Sequence, residues 1–260
     1  MAELPELRET SVRLARGRGA EATPEATSLR LVHVADPRAG VFSQAKKQCD
    51  LWEFVWGTSL LLASLLARVE LRGCEVLEVG GGSGLCSLAA ALSAERVTMT
   101  DLVEDAVRMC QQSARANTAI APGAMAFARL DWNKPETVPA AAADVVIASD
   151  VLFFRGAAKP VALAVHRALR DGGLGVLADP FRLATDDFEA ALLDLGVPCT
   201  SYLFVPELLR EAQNLQHKAF VDVKKVKLLV FRKPGASAAA DGAAASLGAA
   251  LPAFVVPGYE

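Results

Sequence analysis

Apolar and polar positions follow two rhythms along this chain, and from Glu75 onward the rhythms alternate. Short runs rich in Val, Ile and Leu predict strands, and longer stretches with apolar residues three and four apart predict helices. Strand 76–80 precedes helix 84–94, strand 96–100 precedes helix 103–117, and strand 125–130 runs to Asp131-Trp132. After a Pro-containing connection from Asn133 to Ala143, the unbroken run Asp144-Val145-Val146-Ile147-Ala148-Ser149 reads as a strand buried on both faces. Helix 157–170 is expected to stop at Gly172-Gly173 in a left-handed cap. Strand 174–178 reaches Asp179-Pro180, helix 185–195 ends at Gly196, and two β-rich runs follow at 199–205 and 225–231. Upstream, Leu29 to Val34 predicts a strand, Asp36 to Gly40 a turn, and Leu51 to Arg68 a helical stripe that holds Trp52 and Trp56.

Strands alternating with helices imply a doubly wound α/β domain, with a parallel sheet, right-handed crossovers and helices on both faces. The domain is expected over 27–233. Residues 1–26, polar and charged, read as a flexible arm, and the Ala/Gly-rich stretch 234–260 reads as a flexible tail.

Candidate chemistry lies where the first strand of the alternating series meets its turn. Glu78-Val79-Gly80-Gly81-Gly82-Ser83-Gly84 brings a buried strand into clustered glycines, and Asp101 ends the next apolar run. A carboxylate in that place suits ribose hydroxyls; its competing role is to cap the following helix. The glycines alternate at 80, 82 and 84, and Leu85 stands where a dinucleotide fingerprint would need its third glycine, so a nicotinamide enzyme ranks last.

Composition narrows the class. An apolar content of 52% over 260 residues supports a large core, and a net charge of −3 carries no nucleic-acid footprint. No uncharged apolar run reaches membrane-spanning length. Five cysteines and three histidines lack metal-ligand spacing, so no metal site is expected and the thiols read as free. The N-terminus lacks a signal-peptide core, and its glutamates argue against a transit peptide; a cytoplasmic or nuclear monomer is expected.

The pattern Glu78-x-Gly80-x-Gly82-x-Gly84 resembles motif I of the seven-strand S-adenosylmethionine-dependent methyltransferases. That resemblance implies a mostly parallel seven-stranded sheet ending in an antiparallel hairpin. It implies S-adenosyl-L-methionine as cofactor, held by Glu78, Gly80, Gly81, Gly82, Gly84, Asp101, Asp131, Trp132 and Ser149. Asp150-Val151-Leu152-Phe153 resembles the D-x-x-Y signature of the protein-lysine methyltransferase-like subgroup (methyltransferase family 16), with phenylalanine in place of tyrosine. Trp56, before a small-residue helix, fits the same subgroup at the edge of the cofactor pocket. Asp150 would orient the acceptor nitrogen, and the Phe153 ring would wall its channel. Asp179-Pro180-Phe181-Arg182 would line the acceptor side or form an idle edge loop.

Three functions stay open on these residues. The first is a protein N-methyltransferase with a protein substrate, acting on lysine or else arginine. The second is a methyltransferase of small metabolites. The third is a cofactor-binding or interaction module without turnover, kept open by Phe153.

Overall fold

The structure is a computed structural model that describes residues 6–14, 28–35, 51–204, 220–221 and 225–257. The turn expected at 36–40 lies outside the described residues, as do Cys49, His217 and Lys224. In chain order the strands and helices begin with β1 (Leu7–Arg13), β2 (Ser28–Val34), β3 (Val55–Trp56), α1 (Gly57–Leu66), β4 (Glu75–Val79), α2 (Leu85–Ala90), β5 (Arg96–Asp101) and α3 (Glu104–Ala116). They continue with β6 (Met125–Arg129), β7 (Ala143–Ser149), α4 (Ala158–Ala168), β8 (Leu169–Asp179), α5 (Leu183–Asp194) and β9 (Cys199–Phe204). Last come β10 (Phe220–Val221), β11 (Lys227–Arg232), α6 (Ala238–Ala250) and β12 (Val255–Pro257).

Side chains point alternately to the two faces of a strand, so a central strand must be apolar on both. β7 meets that demand. Val145 and Ile147 join the layer that holds α1, α2 and α6, while Val146 and Ala148 join the layer that holds α4 and α5. The sheet runs β6-β5-β4-β7-β8-β11-β9, parallel from β6 to β8 and antiparallel through β11 and β9. This is the expected seven-stranded, doubly wound sheet with its final antiparallel hairpin.

The structure corrects four expectations. First, the arm expected at 1–26 contains β1, which pairs antiparallel with β2 along its whole length. Val12, Leu29 and Leu31 are fully buried, so the hairpin has an apolar face of its own. It is tied to α3 where the Asn117 side chain exchanges hydrogen bonds with the Arg30 backbone, at 2.8 Å from its N–H and 2.7 Å to its carbonyl.

Second, the helical stripe at 51–68 is broken: a single 3-10 turn at Leu51–Glu53 precedes extended backbone, and the α-helix begins at Gly57. The preceding Phe54-Val55-Trp56 carries residues that favour extended backbone, and Val55 and Trp56 pair in parallel with β10.

Third, Gly172-Gly173 lies inside β8 and not in a helix cap. A register shift separates the pairs Ala143–Leu169 and Val145–Leu174. Gly172 has φ 77°, and a Cβ there would fall within 2.5 Å of the Ala236 backbone. The glycine lets the C-terminal segment approach.

Fourth, the Ala/Gly-rich stretch expected as a flexible tail forms α6 and β12. Alanine is the strongest helix former, so this composition costs a helix little. Ser237 caps α6, its hydroxyl accepting from the Ala240 N–H at 3.2 Å. Ala240, Ala243 and Leu247 make a narrow buried stripe, Phe254 is fully buried, and β12 pairs with β9 as an eighth strand. Phe254→Ala should therefore destabilise the protein by about 3 kcal/mol, as large core truncations do. Urea denaturation checks this; a free tail would give no change.

Candidate active site

Four neighbouring strands, in the order β8-β7-β4-β5, carry a buried acid at or beside their carboxyl ends: Asp179, Asp150, Glu78 and Asp101. Ligands of open α/β sheets bind at that end.

The turn after β4 holds Gly80, Gly82 and Gly84 at φ of 67°, 51° and 76°. Backbone bonds pin it: the Gly81 N–H donates to the Thr100 carbonyl at 2.8 Å, and the Gly84 N–H to the Gly81 carbonyl at 2.8 Å. Gly84 opens α2 with its missing side chain directed at α3, where a Cβ would lie 2.0 Å from Cys110 Sγ. A Cβ on Gly81 would meet Met99 at 2.8 Å, and one on Gly80 would meet Val151 at 2.8 Å and the Trp132 ring at 3.0 Å. Around Gly82 the space is open. The turn is thus packed at both ends and accessible at its middle.

Asp101 reaches this turn from β5. Its Oδ2 accepts the Gly82 N–H and its Oδ1 the Val103 N–H, each at 2.9 Å. The residue does not cap α3, whose N-cap is Val103; its bond to the Val103 N–H closes the turn before the helix, and its bond to Gly82 ties the second strand to the glycines. Burial raises its pKa, opposed by the N–H groups of Val103, Gly82 and Leu102. Each carboxylate oxygen has a second lone pair, so acceptor capacity for a ligand hydroxyl remains.

Glu78 sits beneath the turn. Its Oε2 accepts both the backbone N–H and the hydroxyl of Ser87, which joins β4 to α2. Full burial pushes its pKa up to about 7, with the Ser87 bonds opposing.

On β7, Ser149 shares a 3.2 Å hydrogen bond with Ser59, and Asp150 follows at φ 59°. The Asp150 N–H donates to the Ala178 carbonyl at 2.9 Å, and its Oδ2 accepts from Thr58 at 3.3 Å. Its Oδ1 lies 2.6 Å from Arg182 Nη2, while Arg182 Nη1 donates to Asp179 Oδ2 at 2.9 Å. Burial raises the pKa of both aspartates and Arg182 opposes it.

Aromatic rings edge the site. The Trp132 ring lies 6.4 Å from that of Phe153, which lies 5.1 Å from Phe154. Phe153 and Phe154 are both exposed, at 43% and 45%. Asp131 is engaged within its own loop, accepting the Asn133 N–H at 3.0 Å and pairing with Lys134. Trp56 donates its indole N–H to the Leu51 carbonyl at 3.1 Å and immediately precedes the helix that carries Thr58 and Ser59.

Sequence reasoning missed Ser87, Thr58 and Ser59, and did not pair Arg182 with the two acids. The signal for Thr58-Ser59 was present as two hydroxyls opening an otherwise apolar helix. Arg182 lies three residues after Asp179, in the loop already named for the acceptor side, but its contact with Asp150 left no local signal, because that acid follows a different strand. Among the described residues no cluster of His, Cys, Asp and Glu is able to hold a metal ion, and no helix is long and apolar enough to cross a membrane.

A seven-strand sheet with an antiparallel end, a glycine turn after its central strand and an acid-tipped neighbour defines the class I methyltransferase fold. The chain belongs to the lysine methyltransferase family, whose model matches residues 42–173, just over half its length. It is 41% identical over 90 residues to methyltransferase-like protein 22 of Mus musculus, covering 33% of this chain and 23% of that one. It is 25% identical over 166 residues to protein N-lysine methyltransferase METTL21A of Mus musculus, covering 62% and 75%. The match thus spans about a quarter of the first relative. Among solved structures, TrmN of Thermus thermophilus superposes with a TM-score of 0.50 at 20% identity, over 67% of this chain and 48% of the other. The cyclase SpnF gives 0.50 at 18%, over 67% and 80%. These likenesses show the fold alone.

Two outcomes follow from the turn. Gly84→Ala should abolish cofactor-analogue binding in calorimetry, because the φ and the Cys110 contact both oppose a methyl group. Glu78 holds its proton more tightly folded than unfolded between about pH 4.5 and 7, so its ionisation lowers stability as pH rises through that window and leaves the loss constant above it. Glu78→Gln should therefore melt higher than wild type at pH 8 and close to it at pH 4.5.

Proposed function

We propose that the chain is an S-adenosylmethionine-dependent N-methyltransferase that modifies a lysine side chain of a protein substrate. Family membership supports the reaction class, and Asp150 is the observation that carries the acceptor side. It is a buried acid at the end of β7, held in a left-handed conformation beside two exposed phenylalanines.

The residues fit the cofactor. The open space at Gly82 accepts a ligand against the backbone, Asp101 retains acceptor capacity for ribose hydroxyls, and Trp132 offers a ring face for the adenine. When bound, the cofactor supplies a methyl group on a positively charged sulfur. The chain's own residues do the rest by positioning and charge.

A lysine amine must lose its proton before it can accept a methyl group, and its ordinary pKa is about 10.4. The apolar rings of Phe153 and Phe154 disfavour the charged form by excluding water. Their faces also attract the cation on arrival. Asp150 accepts a hydrogen bond from the nitrogen and so orients its lone pair. Phenylalanine at 153 supplies a wall without a hydroxyl, which leaves Asp150 as the polar anchor of that loop.

Calorimetry with S-adenosylhomocysteine should give micromolar binding, weakened at least about tenfold in Asp101→Ala through loss of charge-assisted hydrogen bonds. Asp150→Ala should keep that binding and lose about a hundredfold in tritiated-methyl incorporation into lysate proteins. An absence of binding in the wild type would remove the enzyme reading. Label found on small metabolites instead of protein lysine would move the acceptor class.

A further inference from the structure

We propose that Arg182 is the positioning residue of the acceptor site: its guanidinium clamps Asp150 to Asp179 and so fixes the carboxylate that receives the acceptor amine. The inference rests on the lysine-methyltransferase reading and goes beyond it, to a residue that touches no reacting atom.

The geometry is that of a two-sided fork. Nη2 lies 2.6 Å from Asp150 Oδ1, and Nη1 lies 2.9 Å from Asp179 Oδ2. The second oxygen of each acid is held separately, by the Thr58 hydroxyl at 3.3 Å on Asp150 and by the Thr185 hydroxyl at 3.0 Å on Asp179. Thr185 in turn accepts the Arg182 N–H at 3.1 Å. Both carboxylates are thus fixed at both oxygens by donors from two elements, the start of α1 and the N-terminus of α5, where Arg182 is the N-cap. A planar guanidinium spans the two acids with two separate nitrogens held in one plane, whereas an ammonium would have to serve both from a single nitrogen.

Backbone strain supports the assignment. Asp150 and Phe181 both adopt left-handed backbone, at φ 59° and 56°. Each lies beside the clamp, one as its partner and one as its chain neighbour. Left-handed conformations in non-glycine residues persist where surroundings over-determine them, and they gather at functional sites. Two carboxylates against one guanidinium also leave a single net negative charge beside the phenylalanine lip, which draws a lysine ammonium to the site; its proton passes to solvent before methyl transfer.

The alternative is that Arg182 only neutralises Asp179, which is wholly buried. Two full-length variants separate the roles. Arg182→Lys keeps the charge and loses the two-nitrogen fork. Asp179→Asn combined with Arg182→Met removes the wholly buried Asp179 charge together with its partner, preserves the net charge of the group, and leaves the buried Asp150 carboxylate held by the Thr58 hydroxyl without its guanidinium. S-adenosylhomocysteine calorimetry reports the cofactor side, and tritiated-methyl incorporation into lysate protein at saturating cofactor reports the acceptor side. We expect S-adenosylhomocysteine affinity within about threefold of wild type in both variants and methyl transfer down at least about tenfold in both. Wild-type transfer by either variant would overturn the proposal. So would loss of S-adenosylhomocysteine binding in parallel with transfer, since the clamp would then support the whole site. A wild-type protein that binds the analogue but labels no protein would defeat the lysine reading itself, and the inference with it.

Discussion

Burying carboxylates is the constraint around which this site is organised. Glu78, Asp101, Asp150 and Asp179 line up across four adjacent strands, none more than 9% exposed. An ionised group withdrawn from water must find donors or give up its charge. Each acid meets that demand differently. Glu78 leans on Ser87 and has its pKa pushed up to about 7, Asp101 takes amides from the glycine turn and from Val103, and Asp150 and Asp179 share one arginine. The donors that satisfy these acids are the same groups that fix the loops. Satisfying the charges and shaping the cavity are therefore one structural act.

Two halves of the site follow from this. On the β4–β5 side the donors are backbone amides joined by one hydroxyl, that of Ser87, rigid once the turn is made, and they suit recognition of a cofactor whose form is constant. On the β7–β8 side the donors are side chains, Thr58 from α1 and Arg182 and Thr185 from the N-terminus of α5. Side chains are easily exchanged in evolution without disturbing the strands, which suits the part of a site that meets a variable acceptor.

The alternating elements from β4 onward were legible because buried strands and amphipathic helices impose distinct periods, and β7 has an unbroken apolar run. The glycine turn and Asp101 were legible because local sequence alone determines them. Arg182 was not, since a clamp between two strand ends depends on which strands become neighbours. The N-terminal strand was hidden by charges on its outward face, although Val12 marks its inward one. The C-terminal helix was misread for a different reason. A composition of alanine, glycine and serine describes both a solvated linker and a close-packed helix, and only three buried side chains on one stripe, Ala240, Ala243 and Leu247, tell them apart.

The short last strand has a further effect. β9 would otherwise end the sheet with a row of unpaired amides and carbonyls, the kind of border onto which a second molecule adds by strand pairing. Three residues, Val255 to Pro257, cover the half of that border from Tyr202 to Phe204, and the last of them has no amide hydrogen to offer. β12 thereby acts as a selvedge, a short finishing strip along part of that side of the sheet.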